Sequence, residues 1–212
     1  MEANLSSSKK VKIGIYGGAF NPIHIGHLFV GKESIRLFNL DKVIFVPTGN
    51  PVFRKKDLLD KYIRAHLVEI AIEGETNFEI SYFEIEKEGP SYYIDTLRNF
   101  IKDGVDIYTI IGEDAFLKIT LWKDFKEILS NSNFIVAKRL SDNFATLKEF
   151  TNENLNDFTK KIFTLEHPLF PISSTLIRER LKTGLPISYL VPKPVENEIL
   201  RHGYYTKRSS FG

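Results

Sequence analysis

The chain contains no cysteine, and that absence removes disulfides, thiolate nucleophiles and cysteine-held zinc from consideration. It also suits a reducing compartment, and a cytoplasmic protein is expected. An excess of one charge is lacking too: 29 basic against 27 acidic side chains leave a formal net charge of +2. Nothing global therefore points to nucleic acid or a membrane surface as partner, and any anion site must be local. No apolar run approaches the roughly 18 residues of a membrane span, and the opening MEANLSSSKK is too polar for the apolar part of a secretory signal. We read residues 1–10 as a loose tail. What is there is ordinary for a folded domain: 212 residues, 42% hydrophobic and 26% charged, enough to bury one core. Self-association is left open.

VKIGIY (11–16) is a β-branched and aromatic run ending at Gly17-Gly18, and HIGHLFVGKESIRLF behind it has helical periodicity through Leu28, Ile35 and Phe38. DKVIFVP (41–47) reads as a second strand closed by Pro47, which makes the opening unit βαβ. LLDKYIRAHLVEIAIEG predicts an amphipathic helix. SYYIDTLRNFIKDG predicts a helix capped by Ser91 and stopped at Gly104, and VDIYTIIG a buried strand. NFIVAKR (133–139) and KIFTLE (161–166) are further strands, with residues 140–160 between them a helix or an insertion. SSTLIRERLKTG and PVENEILRHG close the chain as helices, the second opened by Pro194 at its first position. No repeat or linker interrupts this alternation. It predicts one doubly wound, Rossmann-like α/β domain over 11–212, with 172–205 as a C-terminal helical part. Such sheets bind ligands beyond the carboxyl ends of their strands, where strand order reverses.

Two glycine patterns are excluded. The dinucleotide fingerprint G-x-G-x-x-G is absent, because Gly14, Gly17 and Gly18 have the wrong spacing. GHLFVGKE (26–33) approaches a phosphate-binding loop but places Glu33 where a hydroxyl residue belongs, and its spacer reads as helix interior. Gly31 is then a small residue for helix packing. In GGAFNPIHIGH (17–27) the glycines let the chain turn and expose N–H groups, and the helix start behind them favours an anion. With the helix beginning near Ile23, His24 and His27 share one side of its first turn, and Gly26 leaves room for a ligand. The residues alone leave helix capping and a histidine-held metal open beside phosphate binding.

The string GGAFNPIHIGH resembles the nucleotidylyltransferase signature of a glycine-rich turn followed by H-x-G-H, and ISSTLIRERL (172–181) resembles that superfamily's second signature, I-S-S-T-x-I-R. The stretches between and after them, FVPTGNP, RAHLVEIAI, GPSYYIDTL, YTIIGEDAF, LWKDF and ISYLVPKPVENEILRHGYY, are similar to bacterial nicotinate-nucleotide adenylyltransferase along nearly the whole chain. The resemblance implies transfer of the adenylyl group of ATP to nicotinate mononucleotide, giving deamido-NAD and pyrophosphate in NAD biosynthesis, with Mg2+ accompanying ATP. It assigns catalysis to His24, His27 and Arg178. ATP would be held by Gly17, Gly18, Ala19, Phe20, Gly26, Gly112, Asp114, Ile172, Ser173, Ser174 and Thr175 together with those three. The pyridine nucleotide would meet Asn50, Arg54, Tyr92, Tyr93, Trp122 and Arg139, with Trp122 stacking on the ring. No protein-borne metal site is implied.

The acceptor side departs from the family pattern. The usual P-P-H-K is Pro51-Val52-Phe53-Arg54 here, and the usual S-Y-T is Ser91-Tyr92-Tyr93. Transfer to nicotinamide mononucleotide is therefore an alternative, as is, in another class, a nucleotide-binding module without transfer activity. In GGAFNP the frequent Thr and Asp are Ala19 and Asn21, changes expected to be tolerated because backbone groups do the main work.

Overall fold

The computed structural model describes residues 10–52, 57–139, 144–167 and 172–206; the tail over residues 1–9 lies outside them. Six parallel strands form one sheet in the order β3-β2-β1-β4-β5-β6. They are β1 Val11–Gly18, β2 Lys42–Pro47, β3 Phe78–Ile80, β4 Val105–Gly112, β5 Asn133–Arg139 and β6 Ile162–His167. The order reverses between β1 and β4, so the crevice beyond their carboxyl ends is the topological switch point.

Side chains alternate across each strand, and the two faces divide the core. Tyr16, Val43, Phe45, Ile110 and Ile135 point to one face, covered by α1 Ile25–Phe38, α2 Lys61–Ile72, α8 Ser174–Lys182 and α9 Lys193–His202. Ile13, Ile15, Ile44, Val46, Ile107, Ile111, Phe134 and Val136 point to the other. There they meet α4 Tyr93–Phe100, α5 Glu113–Phe116, α6 Phe125–Asn131 and α7 Phe144–Asn154. Gly31 lets α1 lie against the sheet: a Cβ there would come within 3.0 Å of the Phe78 ring and 3.3 Å of Phe45. Lys32 beside it pairs with Glu75 and lies over Phe78, far from any phosphate role.

Several boundaries differ from the sequence expectation. β1 runs through both glycines, which pair with Val46 and Pro47. α1 starts at Ile25, leaving His24 outside as its N-cap in extended conformation. The short strand β3 and the single turn α3 Phe83–Glu86 were not foreseen, being too short to carry periodicity. α4 begins at Tyr93 and ends at Phe100, without a Ser91 cap, because the Ser91 hydroxyl accepts the Asn50 N–H at 3.0 Å instead. Pro194 is the second residue of α9, and Gly203 ends it with φ 63°. Residues 144–154 are helical and 156–161 form a 3₁₀ turn.

Candidate active site

The loop leaving β1 is set by local sterics. Phe20 has φ 43°, and its ring folds back over Gly18, where a Cβ would approach it to 3.1 Å. The buried ring packs edge-on against His27, centroids 5.1 Å apart, and against Tyr16 at 5.7 Å. Phe20 thus supports a site residue rather than facing ligand with its side chain. His24 stacks on His27 at 3.6 Å. The His24 ring occupies the space beside Gly26, whose ideal Cβ would lie 3.1 Å from it, so that glycine makes room for an imidazole rather than for ligand.

This sandwich fixes the tautomer of His27. The His24 backbone N–H donates to Nδ1 of His27 at 3.2 Å, so Nδ1 is the acceptor nitrogen and the neutral ring carries its proton on Nε2. The helix start itself is largely engaged: the Ile25 amide donates to the Leu190 carbonyl at 3.0 Å and the His27 amide to His24 at 2.9 Å. The Ile25 and His27 amides of this first turn are thus already taken up within the protein.

Asn21 does more than expected of a backbone position. Its buried side-chain amide donates to the Asp57 carbonyl at 2.9 Å, and its oxygen accepts from the Leu59 amide and the Tyr205 hydroxyl at 3.2 and 2.9 Å. The peptide bond to Pro22 is cis. Onto this loop docks the start of α8. Ser173 caps that helix by accepting the Leu176 N–H at 3.1 Å, and Ser174 donates its hydroxyl proton to the Pro22 carbonyl at 2.8 Å. Arg178 donates to the Asn21 carbonyl at 2.9 Å and to the Thr175 hydroxyl at 3.3 Å. The two motifs from opposite ends of the sequence are therefore one surface, with Thr175 exposed and Ile172 half-buried beside it.

Beneath it lies a residue missed in the sequence. Arg64 of α2 is 1% exposed, and its guanidinium donates to the carbonyls of Leu59 (2.9 Å), Ala19 (2.7 Å), Thr48 (2.6 Å) and Gly49 (3.3 Å). It ties the loop after β1 to the loop after β2. Desolvation lowers its pKa, partly offset by Tyr205, Asp60 and Glu84.

A cavity of about 330 Å³ opens beside Gly17 and Gly18, walled by Tyr92, Tyr93, Trp122, Gly112 and Ala115. Tyr93 fills the place of the family threonine: its hydroxyl shares a 2.6 Å hydrogen bond with Thr109, which shares another of 2.6 Å with Ser132. Burial drives this phenol's pKa upward, and its ring, 5.5 Å from that of Trp122, forms the wall. Asn50 is not among the lining residues; its side chain donates to the Gly89 carbonyl at 3.1 Å and shapes the neighbouring loop. Asp114 is exposed in the first turn of α5, beyond Gly112. The turn is anchored by Glu113, buried 3.6 Å from the buried Lys138 ammonium. Arg54 and the side chain of Arg139 lie outside the described residues. Lys123, unnoticed in the sequence, sits at the cavity's rim.

A second cavity, of about 520 Å³, lies at the amino ends of β4 and β5 around Asp106, Ser132 and Asn133, the wrong end of a parallel sheet for the reacting groups. Among the described residues no three His, Cys, Asp or Glu side chains converge to hold a metal ion, and no helix is long and apolar enough to cross a membrane.

The stacked histidine pair after β1, the Ser-Ser-Thr start of α8 docked on the same loop and the aromatic-walled cavity meet at the switch point and mark a nucleotidyltransferase, and the cytidylyltransferase-like family model matches residues 15–180. Two proteins named probable nicotinate-nucleotide adenylyltransferase are similar over most of their length. That of Dictyoglomus thermophilum is 40% identical, covering 92% of this chain and 100% of its own. That of Clostridium tetani is 38% identical, covering 92% and 98%. In fold, the chain matches Plasmodium falciparum nicotinic acid mononucleotide adenylyltransferase complexed with NaAD, with a TM-score of 0.72 at 19% identity, over 92% of this chain and 97% of that one. The chain belongs to the nicotinate-nucleotide adenylyltransferase family.

Proposed function

We propose that this protein transfers the adenylyl group of ATP to nicotinate mononucleotide. An oxygen of the mononucleotide phosphate attacks the α-phosphorus of ATP, the bond from that phosphorus to the bridging oxygen breaks, and pyrophosphate leaves with the electron pair. A phosphate monoester has its second pKa near about 6, so the nucleophile is already ionised at neutral pH and needs no general base. The work left is positioning and neutralising charge.

The observation carrying this reading is the meeting of the two motifs at the loop after β1. Ser174 and Arg178 reach across to Pro22 and Asn21, beside a His27 whose Nδ1 is occupied and whose Nε2–H is the donor. In this role His27 and His24 stabilise charge on the α-phosphoryl oxygens, while Ser173, Thr175 and Arg178 hold the departing phosphates. Mg2+ belongs to the reading as the companion of ATP, bound chiefly through phosphates and water. The stacked face of Trp122 takes the pyridine ring, and Asp114 beyond Gly112 takes the ribose hydroxyls. The reading includes a cytoplasmic location and no nucleic-acid or membrane partner.

The experiment is pyrophosphate release by purified protein with magnesium and ATP, run with nicotinate mononucleotide and nicotinamide mononucleotide in parallel. Release with the nicotinate form at the higher kcat/KM is expected. Preference for nicotinamide would reassign the acceptor, and no release with either would leave only a nucleotide-binding role.

A further inference from the structure

Among the described residues lining the acceptor cavity, the basic side chain is that of Lys123; the others are apolar, hydroxyl or backbone groups and the acid Glu84. Its Nζ lies 4.8 Å from the centroid of the Tyr92 ring, on the same cavity wall, a cation–π contact that holds the ammonium over the mouth. Its neighbour in sequence supplies no counter-charge. Asp124 adopts a left-handed backbone, φ 54° and ψ 36°, and its carboxylate lies 3.4 Å from Arg98, which also holds Glu127 at 2.6 Å and Asp95 at 3.9 Å. Arg98 thus takes Asp124 and Glu127 on the outer surface, and Asp95 pairs chiefly with Lys87. No ion pair to Lys123 exists among the described residues, and its charge is left facing the cavity.

Inside, Glu84 accepts the Thr96 hydroxyl proton at 2.7 Å. That carboxylate is buried, 5% exposed, and its hydrogen bond turns it toward α4. Among the described lining residues, Lys123 is thus the exposed charge at the rim and Glu84 the buried one. Resting on the reading that the acceptor is a pyridine mononucleotide stacked on Trp122, we propose that Lys123 is a specificity-determining residue: its ammonium recognises the negative charge of the pyridine carboxylate and disfavours the neutral carboxamide. A residue one step along the chain from the stacking ring can reach a substituent on that ring.

The test is kcat/KM for nicotinate and nicotinamide mononucleotides with wild type, Lys123→Gln and Lys123→Arg, at low and at raised ionic strength, with melting temperatures confirming the fold. Lys123 is exposed, so its replacement should leave folding intact. The Gln variant is expected to lower the nicotinate-to-nicotinamide ratio about five- to tenfold, chiefly through KM for nicotinate mononucleotide, on the upper scale of a partly exposed charge pair. The Arg variant should restore most of it, and salt should shrink the wild-type ratio. A ratio kept within twofold in the Gln variant, whether both values fall together or neither does, would overturn the proposal while leaving the transferase standing. Wild-type inactivity with both acceptors would instead overturn the acceptor reading and this proposal with it.

Discussion

Arg64→Met is the most informative single change, because it removes one charge and four hydrogen bonds without altering any group proposed to touch substrate. Methionine keeps the apolar stem but leaves the carbonyls of Leu59, Ala19, Thr48 and Gly49 without the guanidinium that now joins them. Charge-assisted bonds of this kind carry about 1.5–3 kcal/mol each before compensation. The variant also escapes the desolvation penalty of a cation that is 1% exposed, the same burial that lowers its pKa. Each buried carbonyl left without a donor costs about 1–3 kcal/mol; with the relieved desolvation set against the sum we expect a net loss of about 3–4 kcal/mol, and a chain of this size loses roughly 2–4 °C per kcal/mol. The expected drop in melting temperature is therefore about 6–16 °C, read by circular dichroism. Arg64→Lys should fall between, since one ammonium cannot span all four carbonyls. Turnover should also fall, because Ala19 and Thr48 belong to the loops framing the site. A Met variant melting within about 2 °C of wild type, less than about 1 kcal/mol, would refute the idea that this cation fastens the two loops.

His27→Ala should lower kcat by about a hundredfold with little loss of stability, the scale of one transition-state donor; near-native turnover would remove His27 from the mechanism. Gly49→Ala places a Cβ 1.9 Å from the Glu84 carbonyl oxygen. It should cost about 3 kcal/mol in chemical denaturation, at the upper end of overpacking, and an unchanged midpoint would show that the two loops separate freely. Glu84 has a raised pKa through desolvation, opposed by hydrogen bonds from Thr96, Ser91 and Gly49. It binds its proton more tightly folded than unfolded, so its contribution is complete below the ordinary carboxylate value and is lost as pH rises through the folded one. The melting temperature of Glu84→Gln relative to wild type should therefore climb from acid to neutral pH, and a constant difference would contradict the shift.

Much of the architecture was legible because it is written in local periodicity. Five of the six strands and the helices α1, α2, α4, α8 and α9 follow from alternating or helical spacing, while the short α3, α5 and α6 do not, and the sheet order agrees with a doubly wound reading. The two signature motifs were legible as strings, and the fold brings them together through Ser174 and Arg178. What escaped depends on distant partners. In the sequence Arg64 is one polar residue of an amphipathic helix; only the fold reveals four carbonyls converging on it. Asn21 looked replaceable, yet its amide donates to Asp57 and its oxygen receives Tyr205 from the far end of the chain. Ser91 carried a helix-capping signal, but pairing with Asn50 took precedence.

The same contrast separates the two ends of the site. At the proposed phosphate end, one contiguous string after β1 is clamped by Arg64, Arg178 and Tyr205, each of which would lose a specific partner if the loop shifted. The acceptor cavity is instead assembled from the ends of β1, β2 and β4, the start of α4 and the Leu121–Lys123 segment. No single string specifies it, so a departure can be absorbed. Tyr93 shows how: its hydroxyl is taken up by Thr109 and Ser132, and its ring becomes wall. On the proposed reading, a clamped loop at one end and a composite cavity at the other would let acceptor preference be retuned at the rim, by residues such as Lys123, without moving the groups proposed to meet the triphosphate.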